Sequence, residues 1–175
     1  MDQEYHKTDE LDQYGRKENI RIYGIPEDFA SEEDDGQRKL LEIAAKLDIP
    51  IDATHDLQRV HRLGKTPKTT KANPRGIIAQ FVSYKKRQEF IKNRKKVKGT
   101  KISICEDLTP TRHKLYNYIR KHENVESVYV TNGLLKVSYK MNGSLLNHQT
   151  TSLSLILMLT GMNLVYRFLL VYMLN

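Results

Sequence analysis

The sequence predicts an α+β fold, and three observations carry that prediction. Ile20 and Ile22, and again Ile77, Ala79 and Phe81, alternate with other residues at the period of a strand. Leu40, Leu41, Ile43, Ala44 and Leu47 recur at the period of a helix. Strand-like and helix-like segments then follow one another along the chain, each bounded by proline, glycine or a capping residue.

In order, Leu11 and Tyr14 are the only large apolar pair at helical spacing after Tyr5, so residues 1–18 read as a polar stub, at most the end of a coiled coil. The first strand is predicted at Asn19–Gly24 and stops at Pro26. Ser31-Glu32-Glu33-Asp34 resembles a capping box, which opens a helix running to about Leu47. A second strand is expected at Leu57–Leu63, its alternation blurred by Arg59, His61 and Arg62. Gly64–Gly76 holds two prolines and four cations without apolar periodicity and reads as a basic loop. Ile77–Val82 is the most β-like run, Ser83 caps a helix over Tyr84–Val97 closed by Lys98-Gly99, and Ile102–Glu106 makes a fourth strand. The order β-α-β-β-α-β is the ferredoxin-like arrangement, with two helices on one sheet face and the other face open. A small second unit follows. Thr109-Pro110 opens a helix to about His122, and Val125–Thr131 and Leu134–Lys140 flank the hairpin turn Asn132-Gly133. The expected organisation is therefore a stub (1–18), a ferredoxin-like domain (19–107), a helix plus β-hairpin domain (108–143) and an apolar tail (144–175).

The tail changes the character of the chain, with no Asp or Glu after Glu126 and an almost wholly apolar run over Ser152–Leu174. Three readings stand: a membrane span burdened by Asn163 and Arg167, a buried terminal helix, or a non-native extension from a shifted reading frame.

Charge narrows the function. The chain has 175 residues and a net charge of +8, and that charge is unevenly placed. Up to Asp56 there are 16 acidic and 7 basic residues; from Leu57 to His122 there are 3 acidic and 19 basic. So dense a basic block suits a polyanion, foremost a nucleic acid, against the plainer reading of a solvated lysine surface. The single cysteine, Cys105, excludes a disulfide framework and points to a reducing compartment, cytoplasmic or nuclear. The six histidines are scattered along the chain, and no HExxH, CxxC, Walker A or GxGxxG pattern occurs. A non-enzymatic module without metal or cofactor is expected.

On the open sheet face the first strand should present Arg21 and Tyr23, and the third Gly76, Ile78 and Gln80. RNA-recognition-motif sheets carry stacking aromatics on these strands; here Tyr23 alone qualifies, with simple edge packing as its alternative. Phosphate capture is then the expected chemistry. The candidates are Arg16, Lys17 and Arg21 around the first strand, Arg59 and Arg62 on the second, and Lys65, Lys68, Lys71 and Arg75 along the loop. Gln80, Arg112 and Arg120 complete the set. The cations of the second helix, from Lys85 to Lys98, should lie behind the sheet.

The runs LDQYGRKENIRIYGIPED (11–28), DLQRVHRLGK (56–65), PRGIIAQFVSYKKRQEFIKNRKKVKGTKISICEDLTPTRHKL (74–115) and YIRKHENV (118–125) resemble the first-open-reading-frame protein of LINE-type retrotransposons from invertebrates, over about residues 11–140. The resemblance implies an RNA-recognition-motif domain, a small C-terminal domain, binding of single-stranded RNA or DNA, and nucleic-acid chaperone activity in a retrotransposon ribonucleoprotein. By position it assigns basic contacts to Arg16, Lys17, Arg59, Arg62, Arg75 and Arg112. It also implies self-association through a long coiled coil, of which this sequence has only the stub, so a trimer lacks its usual element.

Overall fold

The computed structural model describes residues 2–28, 35–65, 73–123, 125–141 and 144–150. The chain divides into two compact units, Gly15–Asp107 and a second assembled from Met1–Tyr14 and the residues from Leu108 onward.

The Gly15–Asp107 unit is built from β1 (Asn19–Tyr23), α2 (Gly36–Lys46), the one-turn helix α3 (Ala53–Asp56), β2 (Leu57–Arg62), β3 (Ile77–Phe81), α4 (Tyr84–Asn93) and β4 (Ser103–Glu106). The strands form one antiparallel sheet in the order β2-β3-β1-β4. Period-2 alternation sends Ile20, Ile22, Ile77, Ala79, Phe81 and Ile104 to one side, where Leu40, Ile43 and Ala44 of α2, Leu47 just after it and Phe90 of α4 meet them. The Phe81 and Phe90 rings lie 5.0 Å apart, tilted by 48°. At roughly 25 cal/mol per Å² of apolar surface removed from water, this contiguous cluster is the main source of the unit's stability.

Several elements depart from expectation. Residues 29–34, including the expected capping box, lie outside the described residues, and α2 begins at Gly36. The turn α3 was not foreseen; Asp52 caps it by accepting hydrogen bonds from the Thr54 and His55 N–H groups. The helix expected to reach Val97 stops at Asn93 and tightens into a 3-10 turn, Arg94–Val97.

Two arginines work inside this unit. On β2 the register shifts between Leu57 and Arg59, so Leu57 and Val60 both pack on the core despite their odd spacing, and Arg62 joins that side. Its side chain is 0% exposed and pairs with Asp35 at 2.7 Å. Nε donates to Asp35 Oδ1, Nη1 to the Ile25 and Arg75 carbonyls, and Nη2 to the Pro26 carbonyl and Asp35 Oδ2. Arg87 of α4 is buried as well, 3.1 Å from Glu106. Next to the Arg62 site, Glu27 accepts from the Arg75 backbone N–H at 2.8 Å and from its guanidinium at 2.9 Å.

The second unit joins α1 (Asp2–Gly15, its last residue passing into the first unit) to α5 (Pro110–Ile119) and the meander β5 (Val125–Thr131), β6 (Leu134–Met141) and β7 (Ser144–Thr150). Leu108, Leu115, Ile119, Leu135 and Val137 form its core. Asn132 and Gly133 both take positive φ, 54° and 76°, as the predicted tight turn requires. Strand β7 occupies the first residues of the segment 144–175. The stub is a helix docked by polar groups: Asp9 pairs with Arg112 Nε at 2.6 Å, and Gln13 Oε1 accepts from the Thr109 N–H. Leu11 and Tyr14 remain exposed. Among the described residues no helix is long and apolar enough to cross a membrane; the run 152–174, and the membrane reading with it, lies outside them.

Replacing Arg62 with alanine strands the Asp35 carboxylate in a buried site and should cost about 3–5 kcal/mol in urea unfolding. Burial alone would raise the pKa of Asp35, but Arg62 outweighs it and holds the group below the ordinary carboxylate range. Glu27 is lowered likewise, with Arg75 overcoming burial. Depressed folded-state values mean that this stabilisation is complete above the ordinary carboxylate range, about pH 4, and is lost as pH falls through the native values. Acid melting curves of the wild type should therefore fall more steeply below about pH 4 than those of Glu27→Gln.

Candidate nucleic-acid interface

The sheet face turned away from α2 and α4 follows from strand parity. Cross-strand register sets His61 beside Ile78, Arg21 and Cys105, and Arg59 beside Gln80 and Asn19. Tyr23 closes the near end, 37% exposed, next to Ser103 on β4. A Cβ on Gly76 would come within 2.6 Å of the Tyr23 ring, so the absence of a side chain there lets the ring lie against the β3 backbone. Both readings of Tyr23 thus keep a physical basis, since one part of the ring packs and another part stays open.

Asp107, 1% exposed, organises the β4 end of this face. Arg21 Nε donates to it at 2.5 Å, Arg16 Nη1 at 3.3 Å and Asn19 Nδ2 at 3.0 Å. Burial disfavours the charge on Arg21, but Tyr23 and Asp107 overcome that effect and raise its pKa further. Two polar atoms on the face, Asn19 Oδ1 and His61 Nδ1, are buried without a hydrogen-bond partner. Cys105 donates to the Arg21 carbonyl at 3.6 Å, and burial pushes its thiol up to about 11, so it stays protonated at neutral pH. Among the described residues no cluster of histidine, cysteine and carboxylate side chains could hold a metal ion.

The expected phosphate contacts separate into groups. Arg59 and Lys65 are exposed and reach no carboxylate among the described residues. Gln80 lies beside Arg59 on the sheet face and Tyr23 at the far end of β1, and Lys17 is half-buried just ahead of β1. Arg16, Arg21 and Arg75 keep partial exposure while bound to Asp107 or Glu27. Arg62 and Arg112 are not on the surface at all: the first is spent on Asp35 and three carbonyls, the second on Asp9 and the Gly133 carbonyl. For these two residues the fold supplies anionic partners that the chain order conceals. Arg120, in the other unit, is exposed with its guanidinium 5.8 Å from the Tyr116 ring. Lys68 and Lys71 lie outside the described residues. Sequence reasoning missed Asp107, Asn19 and His61; the first could have been found from its place two residues beyond Cys105 on the same side of an edge strand.

No protein-family model matches the chain, and no curated protein matches it.

Adding a methyl group at position 76 tests whether the ring position matters. Gly76→Ala should displace Tyr23, seen as a shift of its ring resonances in NMR spectra, while the far-UV circular dichroism stays unchanged.

Proposed function

We propose that this chain is a single-stranded nucleic-acid-binding module, acting mainly on RNA, whose Gly15–Asp107 unit is a ferredoxin-like domain of the RNA-recognition-motif type. The observation that carries this reading is the sheet face opposite α2 and α4, where Arg59, Gln80, Asn19, Arg21 and Tyr23 stand in adjacent rows and no helix of the unit packs among the described residues. The strand order β2-β3-β1-β4 is what two interleaved β-α-β units give, and it supports the assignment of domain type.

Tyr23 supplies one aromatic surface, and Gly76 just before β3 and Ile78 on it occupy the places where further stacking would need rings. Affinity then comes chiefly from phosphates, with exposed Arg59 and Lys65 as primary contacts and Arg21 and Arg16 as contacts already aimed by Asp107. Binding of this kind tolerates sequence and exchanges readily. It suits the packaging and chaperone-like role in a retrotransposon ribonucleoprotein that the resemblance of residues 11–140 implies.

The measurement is a salt titration of oligo(U) binding. The logarithm of affinity should fall linearly with log salt, by about 0.7 per phosphate neutralised. Arg59→Gln with Lys65→Gln should weaken all sequences alike and flatten that slope by about 1.4. Tyr23→Ala should cost about 1–3 kcal/mol of affinity without changing the slope, because stacking releases no counterions. Salt-independent affinity, or a change of base preference with intact affinity in the double variant, overturns the reading.

A further inference from the structure

Lys92, Arg94, Lys95, Lys96, Lys98 and Lys101 fall within ten residues that contain no carboxylate. A fixed scaffold displays them. The Asn93 side chain closes α4 by donating to the Glu89 carbonyl, and Val97 is driven into the core. The Lys98 N–H donates to the Lys95 carbonyl, and the Thr100 N–H and hydroxyl both donate to that of Val97. The Thr100 hydroxyl oxygen accepts from the Ile102 N–H, and Gly99, at φ 89°, turns the chain into β4. Lys96 is spent on Asp48 and the Leu47 carbonyl. The other five cations reach no carboxylate among the described residues.

A helix C-terminus favours a nearby cation by about 0.3–1 kcal/mol, which accounts for one or two of them. Five within ten residues are a dense run of like charge, which repels itself unless an anion of matching density meets it. A lipid surface is the weaker partner. Interfacial binding uses exposed apolar side chains, and the exposed large apolar residues of the described chain are Leu11, Tyr14, Tyr23, Val82, Tyr84 and Tyr129, none within this run.

Resting on the nucleic-acid reading above, we propose that Lys92, Arg94, Lys95, Lys98 and Lys101 form a second phosphate-contact surface around the connection from α4 to β4 of the Gly15–Asp107 unit. It engages a stretch of single strand beyond the one held at the sheet face.

The test uses the full chain and labelled oligo(U) of about 8 and about 40 nucleotides, chosen to bracket the usual footprint of one single-strand surface. Lys95→Gln, Lys98→Gln and Lys101→Gln are combined in one variant; all three side chains are exposed and no core contact changes. On the long oligomer its log–log salt slope should fall by about 2, whereas affinity for the short one stays within about twofold. Four results overturn the proposal. An unchanged slope on the long oligomer, with Arg59→Gln/Lys65→Gln still weakening binding, leaves the function intact and makes these cations solvent-facing only. Equal losses on both lengths merge the two surfaces into one. Binding to phosphatidylserine vesicles that the triple variant loses, with oligomer affinity kept, assigns the surface to lipid. A wild type that binds neither oligomer removes the second surface and the proposed function together.

Discussion

One guanidinium holds the Gly15–Asp107 unit in register. Arginine has five N–H donors, and in Arg62 each of the five meets an acceptor: two on Asp35 and one each on Ile25, Pro26 and Arg75. Those acceptors belong to the segment leaving β1, the start of α2 and the return into β3. Three connections that hydrophobic burial alone would fix only loosely are thus pinned to the end of one strand. The desolvation of so deep a charge is offset because nothing on it is left unsatisfied. The edge of the open face inherits this order, because Gly76, on which Tyr23 lies, directly follows Arg75.

The cations of this chain divide by chemistry rather than by position. Arg62, Arg87 and Arg112, with planar forks that serve several acceptors at once, are buried and internal. Lysines, compact and strongly hydrated, make up most of what is left outside. A count along the sequence assigns the whole basic block to the surface. The fold withdraws part of it into buried ion pairs, ties Arg75 to Glu27, and leaves the remainder exposed on both units.

Much of the architecture was legible because apolar periodicity survives on β1, β3 and α2, and because Asn132-Gly133 and Thr109-Pro110 are strong local signals. The inward set Ile77, Ala79 and Phe81 and the outward pair Arg21 and Tyr23 follow from parity alone. β2 resisted for a definite reason: the bulge between Leu57 and Arg59 inverts the alternation, so parity counted from Leu57 turns Arg62 to the wrong side. Partners distant in the chain were illegible too. Asp35 lies 27 residues from Arg62, and Asp9 103 from Arg112, and no local pattern announces either pairing. Strand β7 escaped because Ser144–Thr150 is mostly polar and borders the acid-free tail.

The docking of α1 has a consequence for the order in which the chain is made. Asp9 and Gln13 leave the ribosome before Thr109, Arg112 and the Gly133 turn that receive them, with the entire four-stranded unit in between. The sheet unit is thus an insertion within the other, complete in sequence at Asp107 and free to fold while its host is still being synthesised. Its folding also draws the two ends of the interruption together. The loop that α1 must close is then a preassembled domain instead of about a hundred residues of coil, and most of the closure entropy has been spent before the helix finds its place.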